Sequence, residues 1–173
     1  MIPAYSDLYL SDASLALGSM LESAVYLFGM ELRDFWRLFL SSHVSDDFGN
    51  GLSGTVSGKS GWELAAEILD DAGVPFRREK PKGVVGRSRE FWAGWALAQY
   101  QWKTGLSFRE IEAFAPLETI LLLYSPYHEM SVEHLFDALD AQRIAFAAQR
   151  ELDGNPIPCG ADESPVSAGA PEQ

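Results

Sequence analysis

A chain of 173 residues that is 47% hydrophobic and 12% aromatic has the material for one buried core, which excludes a disordered polypeptide. Its formal net charge of −12 disfavours nucleic-acid backbones and anionic membrane surfaces and suits basic protein partners. A single cysteine, Cys159, excludes an internal disulfide, and the longest wholly apolar run, Ile120 to Leu123, falls far short of the roughly 20 residues that span a bilayer.

Met1 to Ser14 carries neither a basic start nor an apolar stretch, so no signal peptide is expected and the expected location is cytoplasmic. Leu10, Leu17, Leu21, Ala24 and Phe28 then recur at helical spacing. They predict a helix over about 11–28, with Ser11 as N-cap and Gly29 as its stop. A second helix, about 31–41, puts Leu32, Phe35, Trp36 and Phe39 on one side and Arg33 and Arg37 on the other. Over 45–61 five glycines stand among serines, which predicts a long irregular loop, either mobile or functional. Ser60-Gly61-Trp62-Glu63 has the form of a capping box and opens a helix that runs to about Ala72 and stops at Gly73.

Residues 77–89 hold six of the thirteen basic residues, Arg77, Arg78, Lys80, Lys82, Arg87 and Arg89, and one acid, Glu79. That segment carries +5 and the remainder −17. Pro81, Gly83 and Gly86 make it a loop or a small β-hairpin around Val84-Val85, near 77–87. The helix predicted over 88–104 is apolar nearly all round, with Phe91, Trp95, Ala98 and Trp102 in one stripe, and is therefore expected at the centre of the fold. A second capping box, Ser107 to Glu110, opens a short helix to Phe114. Another helix follows over 117–124, ended by Ser125-Pro126, and the last covers about 131–151 with Val132, Phe136, Leu139 and Phe146 inward. From Asp153 onward proline, glycine, alanine, serine and acids dominate, which predicts a disordered C-terminal tail over 153–173. The expected fold is all-α. It is a single domain over 1–152, a compact bundle of about six or seven helices around the buried helix 88–104.

Candidate chemistry is sparse. Gly54-Thr55-Val56-Ser57-Gly58-Lys59-Ser60 imitates a phosphate-binding loop, but its first glycine is one residue out of place and Ser60 is already spoken for as a helix cap. His43 with Asp46 and Asp47 could hold a cation or act as base and orienter, and with Lys59 they are the residues a small pocket in the glycine-rich loop 45–61 would use. His128 and His134 are six apart, which is not a metal-ligand spacing on one helix face, so no metal and no cofactor is expected. The helices flanking Pro116 have the outline of a helix-turn-helix, but the second, Leu117 to Tyr124, has no base-reading side chains, and nucleic acid is an unlikely partner. Trp36, Trp62, Trp92, Trp95 and Trp102 read as core residues from their helical spacing, in preference to the wall of an aromatic pocket.

Four stretches carry a resemblance. They are Tyr9-Leu10-Ser11-Asp12-Ala13, then Val56 to Gly61 with Glu63-Leu64-Ala65, then Glu90-Phe91-Trp92-Ala93-Gly94-Trp95-Ala96-Leu97-Ala98-Gln99-Tyr100-Gln101-Trp102, and finally Tyr127-His128-Glu129. Together, over about residues 9 to 140, they resemble an uncharacterised family of small proteins in gut Firmicutes and Actinobacteria. Members of that family sit in gene neighbourhoods that look like toxin–antitoxin cassettes, including ADP-ribosyltransferase-like toxins. The resemblance therefore implies an antitoxin-like protein with a protein partner, a toxin, encoded nearby. It transfers no catalytic residue and has no counterpart for segment 77–89 or the tail.

The leading expectation is a non-enzymatic, cytoplasmic protein-binding protein, antitoxin-like, with Arg77, Arg78, Lys80, Lys82, Arg87 and Arg89 as the partner-binding set. One alternative is a small ligand-binding domain or enzyme built on His43, Asp46, Asp47 and Lys59. A second is a nucleic-acid accessory protein that uses the basic loop 77–89.

Overall fold

The computed structural model describes residues 3–76 and 88–154. Over these it is all-α, with nine α-helices, one short 3-10 turn (Asp7–Tyr9) and no strand. The helices are α1 (Leu10–Tyr26), α2 (Leu32–Ser41), α3 (His43–Gly49), α4 (Ser53–Val56), α5 (Gly61–Asp71), α6 (Arg89–Thr104), α7 (Phe108–Phe114), α8 (Leu117–Tyr127) and α9 (Val132–Leu152). The hairpin expected near 77–87 and the tail from Asn155 onward lie outside the described residues. No described helix is long and apolar enough to cross a membrane.

The core is organised on α1 and α6, which lie against each other through glycine. A Cβ at Gly94 would meet the Leu17 carbonyl oxygen at 2.5 Å and Gly18 Cα at 2.8 Å, and one at Gly18 would meet the Phe91 carbonyl oxygen at 2.8 Å. The opposite flank of α1 is crossed just as closely by the first residue of α5, because Gly61 lies on the backbone of Ser19 and Met20. In α6 only Arg89 is exposed, as expected for a central helix, but α1 buries Ala13, Leu17, Met20, Leu21 and Ala24 and shares that place. Aromatic rings fill the space beneath α2, α3 and α7. Trp36 stacks on Phe39 at 5.0 Å, and Phe108 meets Phe39 at 5.1 Å and Phe48 at 5.7 Å.

Local signals set most helix ends. Both capping boxes form: Ser60 Oγ accepts from the Glu63 amide while the Glu63 carboxylate accepts from the Ser60 amide, and Ser107 and Glu110 repeat the arrangement. Removing the serine hydroxyl leaves one helix-end amide, that of Glu63 or Glu110, without its acceptor, so Ser60→Ala and Ser107→Ala are each expected to lose about 1 kcal/mol in urea unfolding. Gly29, Gly73 and Gly105 end their helices in the left-handed region, at φ of 66°, 67° and 70°.

Four expectations need correction. Among the described residues the helices number nine rather than six or seven, because residues 45–61 are not a continuous loop. α3 and α4 form there by burying Val44, Phe48 and Val56, a tertiary gain that outweighs the helix-opposing glycines. The first helix begins at Leu10 rather than Ser11, because a 3-10 turn capped by Ser6 leads directly into it. α8 runs through Pro126 to Tyr127, since a proline in the last turn forfeits only one backbone bond. In α9 the buried residues are Leu135 and Leu139; Val132, Phe136 and Phe146 are half-buried, and nothing beyond Leu139 is buried.

Polar ties close the ends. The Ala4 amide donates to the Trp102 carbonyl at 3.0 Å, and Trp102 Nε1 donates to the Tyr5 carbonyl at 2.9 Å, so the N-terminal segment lies across the end of α6. Tyr100 donates to Asp140 at 2.7 Å and Lys103 pairs with the same carboxylate at 3.0 Å, which fixes α9 to α6.

Candidate aromatic cleft

One concave site among the described residues follows from how α6 is written. Its tight side is small, with Ala93, Gly94 and Ala98 where α1 and its neighbours approach, so the large rings must go elsewhere. Phe91, Trp92 and Trp95 form a half-buried floor. Leu15 of α1 makes one lip and Met130 and Val132, around the start of α9, make the other, with buried Leu135 beneath. Tyr124, Tyr127 and His128 complete a cavity of about 320 Å³, within the size range of small binding pockets.

One wall is a ladder of rings. Trp92 meets Tyr124 edge-on at 5.6 Å, and Tyr124 stacks on His128 at 4.4 Å. The i, i+4 spacing sets that stack, and His128 Nδ1 lies 2.9 Å from the Tyr124 carbonyl, which fixes the imidazole. The end of the cleft at Ser88 is polar, but its groups are committed to structure. The Ser88 hydroxyl caps α6 by accepting from Phe91, and its amide donates to Glu22 at 2.9 Å. Glu90 accepts from Tyr26 at 3.1 Å and from Arg89 at 2.9 Å. Burial pushes the Glu90 carboxyl up, yet the bonds from Arg89, its own backbone and Tyr26 outweigh it and hold the group below the usual carboxylate value.

Of the residues singled out from sequence, His43 and Lys59 come together on Glu67. His43 Nε2 lies 3.3 Å from one carboxylate oxygen and Lys59 Nζ contacts the other, while His43 Nδ1 lies 3.2 Å from Asp71. Burial raises the Glu67 carboxyl, and the bonds from Lys59 and His43 more than reverse that. Asp46 turns away to Arg109 at 3.0 Å, and Asp47 is half-exposed on α3, so the four do not meet in one pocket. Among the described residues no group of three or more His, Cys, Asp or Glu is arranged to hold a metal ion. Arg77, Arg78, Lys80, Lys82 and Arg87 lie outside the described residues; Arg89 opens α6, paired with Glu90.

The tryptophans divide. Trp36 is buried and donates to Glu112 at 2.7 Å, Trp62 lies against Phe28, and Trp102 holds Tyr5. Trp92 and Trp95 are half-buried: they pack against the core, as expected, and also line the cleft. The signal for this was residue size rather than polarity, because two tryptophans alternate with alanine and glycine on one helix. No protein-family model, curated protein or solved structure matches the chain.

Proposed function

We propose that this is a non-enzymatic, antitoxin-like protein-binding protein whose contact site is the aromatic cleft between α1, α6, α8 and α9. One observation carries the reading: Leu15 and Met130, 44% and 48% exposed, line a single cavity together with Phe91, Trp92 and Trp95. Aromatic residues and methionine are the types enriched where protein partners anchor. The polar groups at the cleft end are already helix caps and ion pairs, so they position the walls and are not poised for chemistry.

The test is affinity capture from the source cell with the full chain as bait, beside a Leu15→Ser, Met130→Ser double variant. These lips are exposed, so the variant should melt within a few degrees of the parent. The reading expects one stoichiometric protein encoded near this chain's own gene, recovered about tenfold less with the variant. Recovery that ignores the lip substitutions overturns the cleft as the contact site.

A further inference from the structure

Resting on that reading, we infer that the cleft accepts an amphipathic helix with a basic polar face, which inserts apolar side chains spaced i, i+4 between Leu15 and Met130. Charge carries the choice. From Pro3 to Leu32, the stretch that contains the first lip, there is no lysine or arginine, while Asp7, Asp12, Glu22 and Glu31 are present. From Leu117 to Gln142, the stretch that contains the second lip, there is again none; Glu118 and Asp140 there are paired with Arg33 and Lys103, which leaves Glu129, Glu133 and Asp137.

The acids adjoin the lining residues directly. Glu129 lies between His128 and Met130 with its side chain 87% exposed, Glu133 follows Val132, and Asp12 lies one turn before Leu15 on α1. Among the described residues the cation beside the cleft end, Arg89, is neutralised by Glu90. Two acidic lips around an apolar floor complement a segment whose apolar stripe is flanked by lysine or arginine, and they repel acidic segments and phosphate-bearing surfaces.

The backbone argument selects a helix. No strand edge exists among the described residues, and the amide and hydroxyl of Ser88 are taken by Glu22 and Phe91. An extended peptide would therefore bring unpaired amides into an apolar cleft, whereas a helix arrives with its own satisfied. The floor from Ser88 to Trp95 spans about 10 Å of α6, close to two turns of a docking helix, which fits one i, i+4 anchor pair.

The experiment is isothermal titration of the full chain with three synthetic 14-residue peptides: a lysine-rich helix with leucine and phenylalanine at i and i+4, the same helix with both anchors as alanine, and the same helix with every lysine as glutamate. The inference expects binding of the first, at least tenfold weaker binding of the second and none of the third. It further expects affinity for the first to fall with salt and to drop about tenfold in Glu129→Lys, Glu133→Lys. Glu129→Lys alone serves if the double variant melts early. Equal binding of the acidic peptide, indifference to the charge reversal, or no binding of the lysine peptide overturns it. If a lip-dependent partner is captured from the cell while the lysine peptide fails, the basic-helix inference falls and the binding function stands; if neither binds, both fall.

Discussion

Gly94→Val is expected to cost more than about 3 kcal/mol, a fall of roughly 10 °C in a thermal melt followed by circular dichroism. The reason is where the new atoms would go. The nearest neighbours of a Cβ at Gly94 are the Leu17 carbonyl and Gly18 Cα, both backbone, so no side chain can rotate out of the way and the two central helices must part. Gly94→Ala tests the same contact more finely. In an ordinary helix interior that change gains up to about 1 kcal/mol in propensity. Here overpacking of about 1–3 kcal/mol opposes it, and a net loss of about 1–2 kcal/mol is expected. Gly54→Ala in α4 is the control, because nothing lies within 4 Å of its Cβ and its φ is not positive. That change should be neutral or mildly stabilising. If Gly94→Ala and Gly54→Ala shift stability in the same direction, the close approach of α1 and α6 is not what glycine serves.

What the sequence revealed divides along the range of the interactions. Ser60 with Glu63, Ser107 with Glu110, and the stops at Gly29, Gly73 and Gly105 were all readable, because each device is complete within a few residues of chain. α3 and α4 were not. Their glycines and serines argue for a loop, and only the burial of Phe48 against Phe108, sixty residues away in sequence, overrides that preference. α9 shows the same limit from the other side. Its apolar periodicity continues past Leu139, yet Ile144 stands 70% exposed, because periodicity does not say whether the body of the protein lies beneath a helix turn.

The cleft was hidden for a related reason. A helix apolar nearly all round has no polar stripe to mark its outer face, so Trp92 and Trp95 looked interchangeable with Ala96 and Leu97. The backbone contact at Gly94 breaks that symmetry, since the face that touches α1 has room only for small side chains. His43 and Lys59 were chosen for their chemistry, and the structure gives them a common partner, Glu67, that sequence distance concealed. Asp46 was chosen for its nearness to His43 in the chain, but α3 directs it to Arg109.

Glu112→Ala is expected to lose about 2–4 kcal/mol in urea unfolding at pH 7, whereas Glu112→Gln is expected to lose nothing. One oxygen of Glu112 accepts both Trp36 Nε1 at 2.7 Å and the Leu117 amide at 3.0 Å, and so ties α7 to α2 and to the start of α8. Alanine leaves both donors unpaired beside buried Trp36 and Leu117, while the glutamine amide oxygen has lone pairs for both. Burial lifts the Glu112 carboxyl above its ordinary value even though Trp36 and Leu117 pull the other way. A carboxyl raised by folding favours the protonated native state. Its contribution is complete below the ordinary carboxylate value and is lost as the pH rises through the raised one. Glutamine is uncharged at every pH and keeps that contribution. Glu112→Gln should therefore match or exceed the parent at pH 7, and the difference should close towards pH 4. The other perturbed carboxyls run in the opposite sense: Glu67, Glu90, Glu118, Glu133 and Asp140 are held below their ordinary values and withdraw stability as the pH falls. The overall acid limb thus hides Glu112, and only the difference between parent and Glu112→Gln isolates it. A gap between the two that widens on acidification would mean that the ionised carboxylate, rather than an uncharged acceptor, is what Trp36 requires.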